Sequence, residues 1–221
     1  FPRLPKNWPN DPSLDYASLM QRSSGQLLQH IKLTLRERGA TGRQVRIVAL
    51  SAREGEGKTL LTEIVVGQLR AAGERVLWLR PSEKTVLPET HPDNHFYLVN
   101  HTFFEKKDEK SLLNGMISDE NLAEFGYVFA EMPSILSSAY PADYLAATDF
   151  ALFFARTNRT WNRADSRALA TLNRVLGSPC NLVLNFVRPD DLENALGEVP
   201  KRRSRIRQVL KKIATLDFSR N

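Results

Sequence analysis

The sequence predicts a three-layer α/β fold, with a mainly parallel sheet and helices on both of its faces. Two observations predict it. Short apolar runs alternate with helical patterns, the runs lying at 45–50, 75–80, 127–132, 150–155 and 181–187. A glycine-bearing loop also joins the first run to the helix that follows it. Continuous apolar runs, rather than alternating ones, mark strands buried on both faces, as a parallel sheet requires.

Residues 1–13 are rich in Pro and Asn and read as a linker or extended arm. A helical pattern covers 14–38, with Leu27, Leu28, Ile31 and Leu35 as its apolar stripe and Gly39 as its stop. This helix is either a core helix or a contact with a second subunit. Val45 to Leu50 then forms a strand ending at Ser51, followed by Ala52-Arg53-Glu54-Gly55-Glu56-Gly57-Lys58-Thr59. Leu60 opens the next helix, whose face carries Leu61, Ile64, Val65 and Leu69.

Strand, glycine loop and helix N-terminus in that order form a phosphate cradle, the P-loop. Loop N–H groups point inward, and the helix dipole adds positive potential. Residues 53–60 would hold a bound nucleotide, ATP or ADP: Lys58 would reach its β-phosphate and, in ATP, the γ-phosphate, and the Thr59 hydroxyl would ligate Mg²⁺. The strict pattern begins with Gly, and here Ala52 takes that place.

Beyond this unit, Arg75 to Arg80 reads as a buried parallel strand and 81–94 as a loop. His95 to Asn100 reads as an edge strand, and 110–124 as one or two short helices. Tyr127 to Met132 is a strand ended by Pro133, and Phe150 to Ala155 is another. A helix over 161–177 turns Leu169, Leu172 and Leu176 inward, with Gly177 as C-cap. Asn181 to Val187 is the last strand. Residues 14–190 thus make one P-loop domain, and 191–221 a basic amphipathic tail. In that tail Ile206, Val209, Leu210 and Ile213 share one helical face. It would dock on its own domain or lie on an anionic membrane surface.

The formal charge is +6, but residues 201–221 hold eight Lys/Arg against one Asp. The body of the chain is nearly neutral, which argues against a nucleic-acid binder. No stretch approaches 18 consecutive apolar residues, so the chain carries no membrane span of its own. The opening FPRLPKNWPNDP, without Met or signal peptide, reads as a piece of a longer protein. The single Cys180 fits a reducing compartment and a structural thiol. His91, His95 and His101 lack the spacing of a zinc site. Ser134, Ser137 and Ser138 read as a polar loop beside the phosphate pocket, and Trp78 and Trp161 as packing residues.

The stretch SAREGEGKT resembles the P-loop of bacterial tyrosine kinases, SAxPGEGK[ST], with Glu54 in the place of Pro. These kinases are the cytoplasmic domains of polysaccharide co-polymerases. FGYVFAEMPSIL (125–136) is similar to the family's Walker B stretch, 141–156 to the helix and strand after it, and 182–187 to a late strand. The resemblance implies that Asn185 contacts the nucleotide base. It also implies a homo-oligomer joined through the N-terminal helix, and partners in exopolysaccharide synthesis and export. The location it implies is the cytoplasmic face of the bacterial inner membrane.

The departures bear on catalysis. Arg80 and Ser82 stand where the family has an Asp-x-Asp motif, and Glu131 stands at the Walker B aspartate. No Tyr follows Tyr144, whereas the kinases carry a C-terminal tyrosine cluster. A carboxylate at 80 would accept the substrate proton, but a guanidinium is permanently charged and cannot. Arg80 is therefore expected either to pair with Glu131 or to bind phosphate in place of the metal. The resemblance thus implies a catalytically degenerate kinase-like module. Two alternatives stay open. One is an active kinase that modifies a partner or a tyrosine such as Tyr140 or Tyr144. The other is a Par-like ATPase regulator of polysaccharide synthesis, with Arg53 in the place of that branch's loop lysine.

Overall fold

Among the described residues six strands form one sheet in the order β3-β2-β4-β1-β5-β6, and every neighbouring pair is parallel. The computed structural model describes residues 1, 16–40, 42–81, 96–99, 122–188 and 191. The expected linker beyond Phe1, the loop from residue 82 to 94, the short helices before 122 and the basic tail from 192 lie outside the described residues. So do Ser82, His91, His95 and His101.

In chain order the elements are α1 (Tyr16–Glu37), β1 (Val45–Ser51), α2 (Lys58–Ala71), β2 (Val76–Pro81) and β3 (Phe96–Val99). They continue as β4 (Tyr127–Glu131), α3 (Ala142–Ala146), β5 (Phe150–Arg156), α4 (Arg163–Leu176) and β6 (Asn181–Asn185). The alternation read from the sequence is present, with boundaries within two residues. Central β1 is VRIVALS, and six of its seven residues are buried. It pairs with β4 on one side and β5 on the other.

The two faces of the sheet have separate cores. One packs Ile31 and Leu35 of α1 and Leu61, Val65 and Leu69 of α2 against Ile47, Trp78, Phe129 and Phe154. The other packs Tyr144 and Leu145 of α3 and Ala168 and Leu172 of α4 against Val48, Leu50, Val128 and Phe153. Phe129, Phe150, Phe153 and Phe154 are each at most 1% exposed, and each contributes roughly 1.5–3 kcal/mol by leaving water. Trp78 is a packing residue as expected, but Trp161 is 40% exposed. It covers the edge of Phe153 and donates its indole N–H to Ser166 Oγ at 2.7 Å. Burial pushes the Cys180 thiol up to about 11, as suits a packing residue rather than a nucleophile.

Helix ends explain the frame around the site. Asn162 caps α4 by accepting from the N–H groups of Ala164 and Asp165. The Asp165 carboxylate accepts from the Asn162 N–H in return, closing a capping box. Gly177 ends α4 at φ 65°. By contrast α2 begins at Gly57 with φ 90° and no side-chain cap. Its first-turn N–H groups are left for another acceptor. Because all strands run the same way, the carboxyl ends of β1, β2, β4, β5 and β6 converge on that helix start. In open α/β sheets this edge is where ligands bind.

Candidate functional site

The loop from Ala52 to Gly57 leaves the end of β1 and turns back into α2. Gly55 at φ 72° and Gly57 at φ 90° let it do so, a backbone region that side chains disfavour. Lys58 is 8% exposed and its Nζ donates to Ser51 Oγ at 2.6 Å. Ser51 in turn donates its hydroxyl hydrogen bond to the carbonyl of Arg53 at 2.6 Å. Burial pulls the Lys58 pKa below the ordinary lysine value, opposed by Glu131, Glu54 and Glu56. The ammonium is thus held at the mouth of the loop, and the Ser51 hydroxyl is its hydrogen-bonded side chain among the described residues.

Next in α2, Thr59 donates its hydroxyl to Glu131 Oε1 at the end of β4. The second carboxylate oxygen, Oε2, is buried without a hydrogen-bond partner. Burial pushes the Glu131 pKa above the usual carboxylate range, against the pull of Thr59, Lys58 and Arg80. An unsatisfied oxygen beside a threonine hydroxyl fits a hydrated cation. Thr59 and Glu131 would be the protein's donors to Mg²⁺, which takes its other ligands from phosphates and water. Bound there, the metal would neutralise charge on the phosphates. Among the described residues no group of three His, Cys, Asp or Glu forms a metal cage.

The far side of the loop is braced by groups that the sequence did not reveal. Glu56 is 1% exposed and accepts from the Arg156 N–H at 2.6 Å and from Arg159 Nε at 2.5 Å. Arg159 also donates to both oxygens of Asp165, at 2.9 and 3.1 Å. Asp165 is fully buried and takes a third donor, Arg53 Nε, at 3.2 Å. Burial alone would raise the Asp165 pKa, but Arg159, the Asn162 N–H and Arg53 outweigh it and hold the carboxyl low. Arg156 donates to the Gly55 carbonyl at 3.3 Å, with its guanidinium 3.9 Å from the centre of the Phe186 ring. Phe186 itself has φ 61°.

Asn185, 5% exposed, completes the brace. Its amide donates to the Glu56 carbonyl at 3.1 Å, and its oxygen accepts from the Phe186 N–H at 2.9 Å. A Cβ on Gly57 would lie 2.1 Å from that amide nitrogen. The close approach of α2 to β6 therefore needs glycine at 57.

No protein-family profile matches the chain, and no curated relative matches it in sequence. Solved structures do match. The kinase domain of the Escherichia coli tyrosine kinase ETK is 12% identical, covering 73% of this chain and 75% of that one, with a TM-score of 0.51. The chimerical protein CapA2B2 is 13% identical over 73% of this chain and 84% of its own, with a TM-score of 0.52. The chain has the P-loop NTPase fold. It shares that fold with bacterial tyrosine kinase domains.

Within the P-loop fold the sequence-predicted residues fall as follows. Gly55, Glu56, Gly57, Lys58, Thr59, Glu131 and Asn185 gather at the carboxyl edge of the sheet. Glu54 is exposed on the loop, and Leu60 is 47% exposed on α2. Arg53 is tied to Asp165 of its own chain, with 44% of its side chain exposed. The expected pairing of Arg80 with Glu131 does not occur. Glu131 is taken by Thr59, and Arg80 lies over the Trp78 ring, 6.0 Å from its centre. The neutral hydroxyl relieves one carboxylate oxygen without a second charge having to be desolvated. Tyr144, weighed as a phosphate acceptor, is 2% exposed in the α3 core. Tyr140 is half-buried.

Arg156, Arg159 and Asp165 are the residues missed. Two signals pointed to them. The run Arg156-Thr157-Asn158-Arg159 leaves the carboxyl end of β5, the edge on which the P-loop sits. Asn162-x-x-Asp165 is a capping-box pattern.

Proposed function

We propose that this chain is a nucleotide-binding, tyrosine-kinase-like module that holds ATP or ADP on the loop 52–59 and transfers little or no phosphate. One observation carries the proposal. On the α2 face of the sheet the strand ends beside the loop offer Glu131 and Arg80. Glu131 spends one oxygen on the Thr59 hydroxyl and would turn the other to the metal, and Arg80 cannot accept a proton. The binding half of the site is intact, with Lys58 buried at the loop mouth and the first turn of α2 uncapped. The half that would activate a hydroxyl nucleophile is replaced.

The setting we propose is the cytoplasmic face of a bacterial inner membrane, within exopolysaccharide or capsule synthesis and export. Its support is the resemblance of SAREGEGKT and 125–136 to bacterial tyrosine kinases, together with the fold shared with the Escherichia coli kinase domain. In that setting α1 contributes a homo-oligomer contact and the basic residues after 200 face anionic lipid. Exposed Leu33 on α1 supports the first of these.

The test is incubation with γ-labelled ATP and Mg²⁺, scoring retained nucleotide and protein-bound label separately for the native chain and Lys58→Met. The proposal expects retained nucleotide in the native chain alone and label on neither protein. Label that depends on Lys58 would establish an active kinase instead.

A further inference from the structure

Arg80 stands near the carboxyl end of β2, at the edge of the sheet where the phosphate loop lies. Strands β2 and β4 are parallel neighbours, with Leu79 paired to Ala130. One step on, Arg80 and Glu131 stand side by side at the two carboxyl ends. Side chains alternate between faces along a strand. Trp78 and Phe129 both lie in the core under α1 and α2, so Arg80 and Glu131 point to that same face. The N-terminus of α2, with Lys58 and Thr59, closes it.

Yet Arg80 forms no ion pair among the described residues. Its contact there is with the Trp78 ring. It is half-buried rather than solvated. Two cations, Lys58 at the start of α2 and Arg80 at the end of β2, thus share one face of the sheet, and the bonded oxygen of Glu131 between them is taken by Thr59. A half-buried guanidinium without a carboxylate partner among the described residues is left as a donor for an anion. A guanidinium offers paired N–H donors that match phosphate oxygens.

We propose that Arg80 binds the terminal phosphate oxygens of the nucleotide directly, so that ATP binds this chain without a divalent cation. This rests on the nucleotide reading above and adds the ligand's form, metal-free nucleoside triphosphate. Arg80 and Mg²⁺ would compete for the same phosphate oxygens, because Arg80 points to the face that carries Thr59 and Glu131, the residues that would hold the metal. The metal therefore adds little to affinity. The aromatic contact supplies a reporter, since Arg80 must leave the Trp78 ring to reach phosphate.

The experiment is calorimetric titration of the full chain with ATP, once in excess EDTA and once in Mg²⁺, for the native protein, Arg80→Ala and Arg80→Asp. Charge-assisted hydrogen bonds are worth about 1.5–3 kcal/mol, so Arg80→Ala should lose roughly 10- to 100-fold affinity in EDTA. Arg80→Asp should bind only with Mg²⁺. The native chain should bind comparably in both buffers, with a change in tryptophan emission that Arg80→Ala lacks. Thermal melts of the three proteins report folding separately. Binding in Mg²⁺ alone, unaffected by Arg80→Ala, would overturn the proposal and leave the nucleotide site standing. No binding by folded native protein in either buffer would overturn both.

Discussion

Thr59, in the first turn of α2, donates a hydrogen bond from its hydroxyl to Glu131 at the end of β4. The bond spans 72 residues of sequence and joins the phosphate loop to the neighbouring strand. It leaves Glu131 with one satisfied oxygen and one orphan, in a place where burial disfavours its charge.

The Glu131→Gln variant should therefore match or exceed the native protein in stability at pH 7. The native carboxyl has a folded pKa above its unfolded value. Its favourable contribution is complete below the unfolded value of about 4.3 and is lost as pH rises through the folded one. Chemical denaturation at several pH values checks this. The advantage of the Gln variant should grow across that window and then level off.

Gly57→Ala should destabilise the fold by about 2–4 kcal/mol, combining a positive φ with overlap of the Asn185 amide. Adding Asn185→Ala should recover part of the loss, so the two effects are non-additive. Urea midpoints of the two single variants and the double variant test this.

Asp165 unites three donors, one of them from the phosphate loop, with the cap of α4. Asp165→Ala should cost about 3–5 kcal/mol, because it leaves Arg159 partly buried beside a lost partner. With the native carboxyl held low, its contribution is full above the unfolded value of about 3.9 and fades as pH falls through the folded one. Asp165→Asn should flatten the acid limb of the stability profile, as measured by thermal melts below pH 5.

The sheet and the phosphate loop were legible in the sequence because their signals are local. Val45 to Thr59 carries strand, turn glycines and helix start within fifteen residues, and the structure follows it. The brace was not legible. Glu56 meets Arg159 across 103 residues and Arg53 meets Asp165 across 112. Nothing in either neighbourhood announces the partner until the parallel order brings the ends of β1 and β5 together. Arg80 shows the same limit. Its identity signalled a lost base, but only the register of β2 on β4 shows which face it takes and that Thr59 already occupies Glu131.

The account rests on Lys58 as the cation of a working nucleotide site, and calorimetry with ATP measures that directly. The native chain should show saturable one-to-one binding. Lys58→Met should lose at least roughly 100-fold in affinity while melting cooperatively. Equal binding by both proteins, or no saturable binding by the native chain, would contradict it.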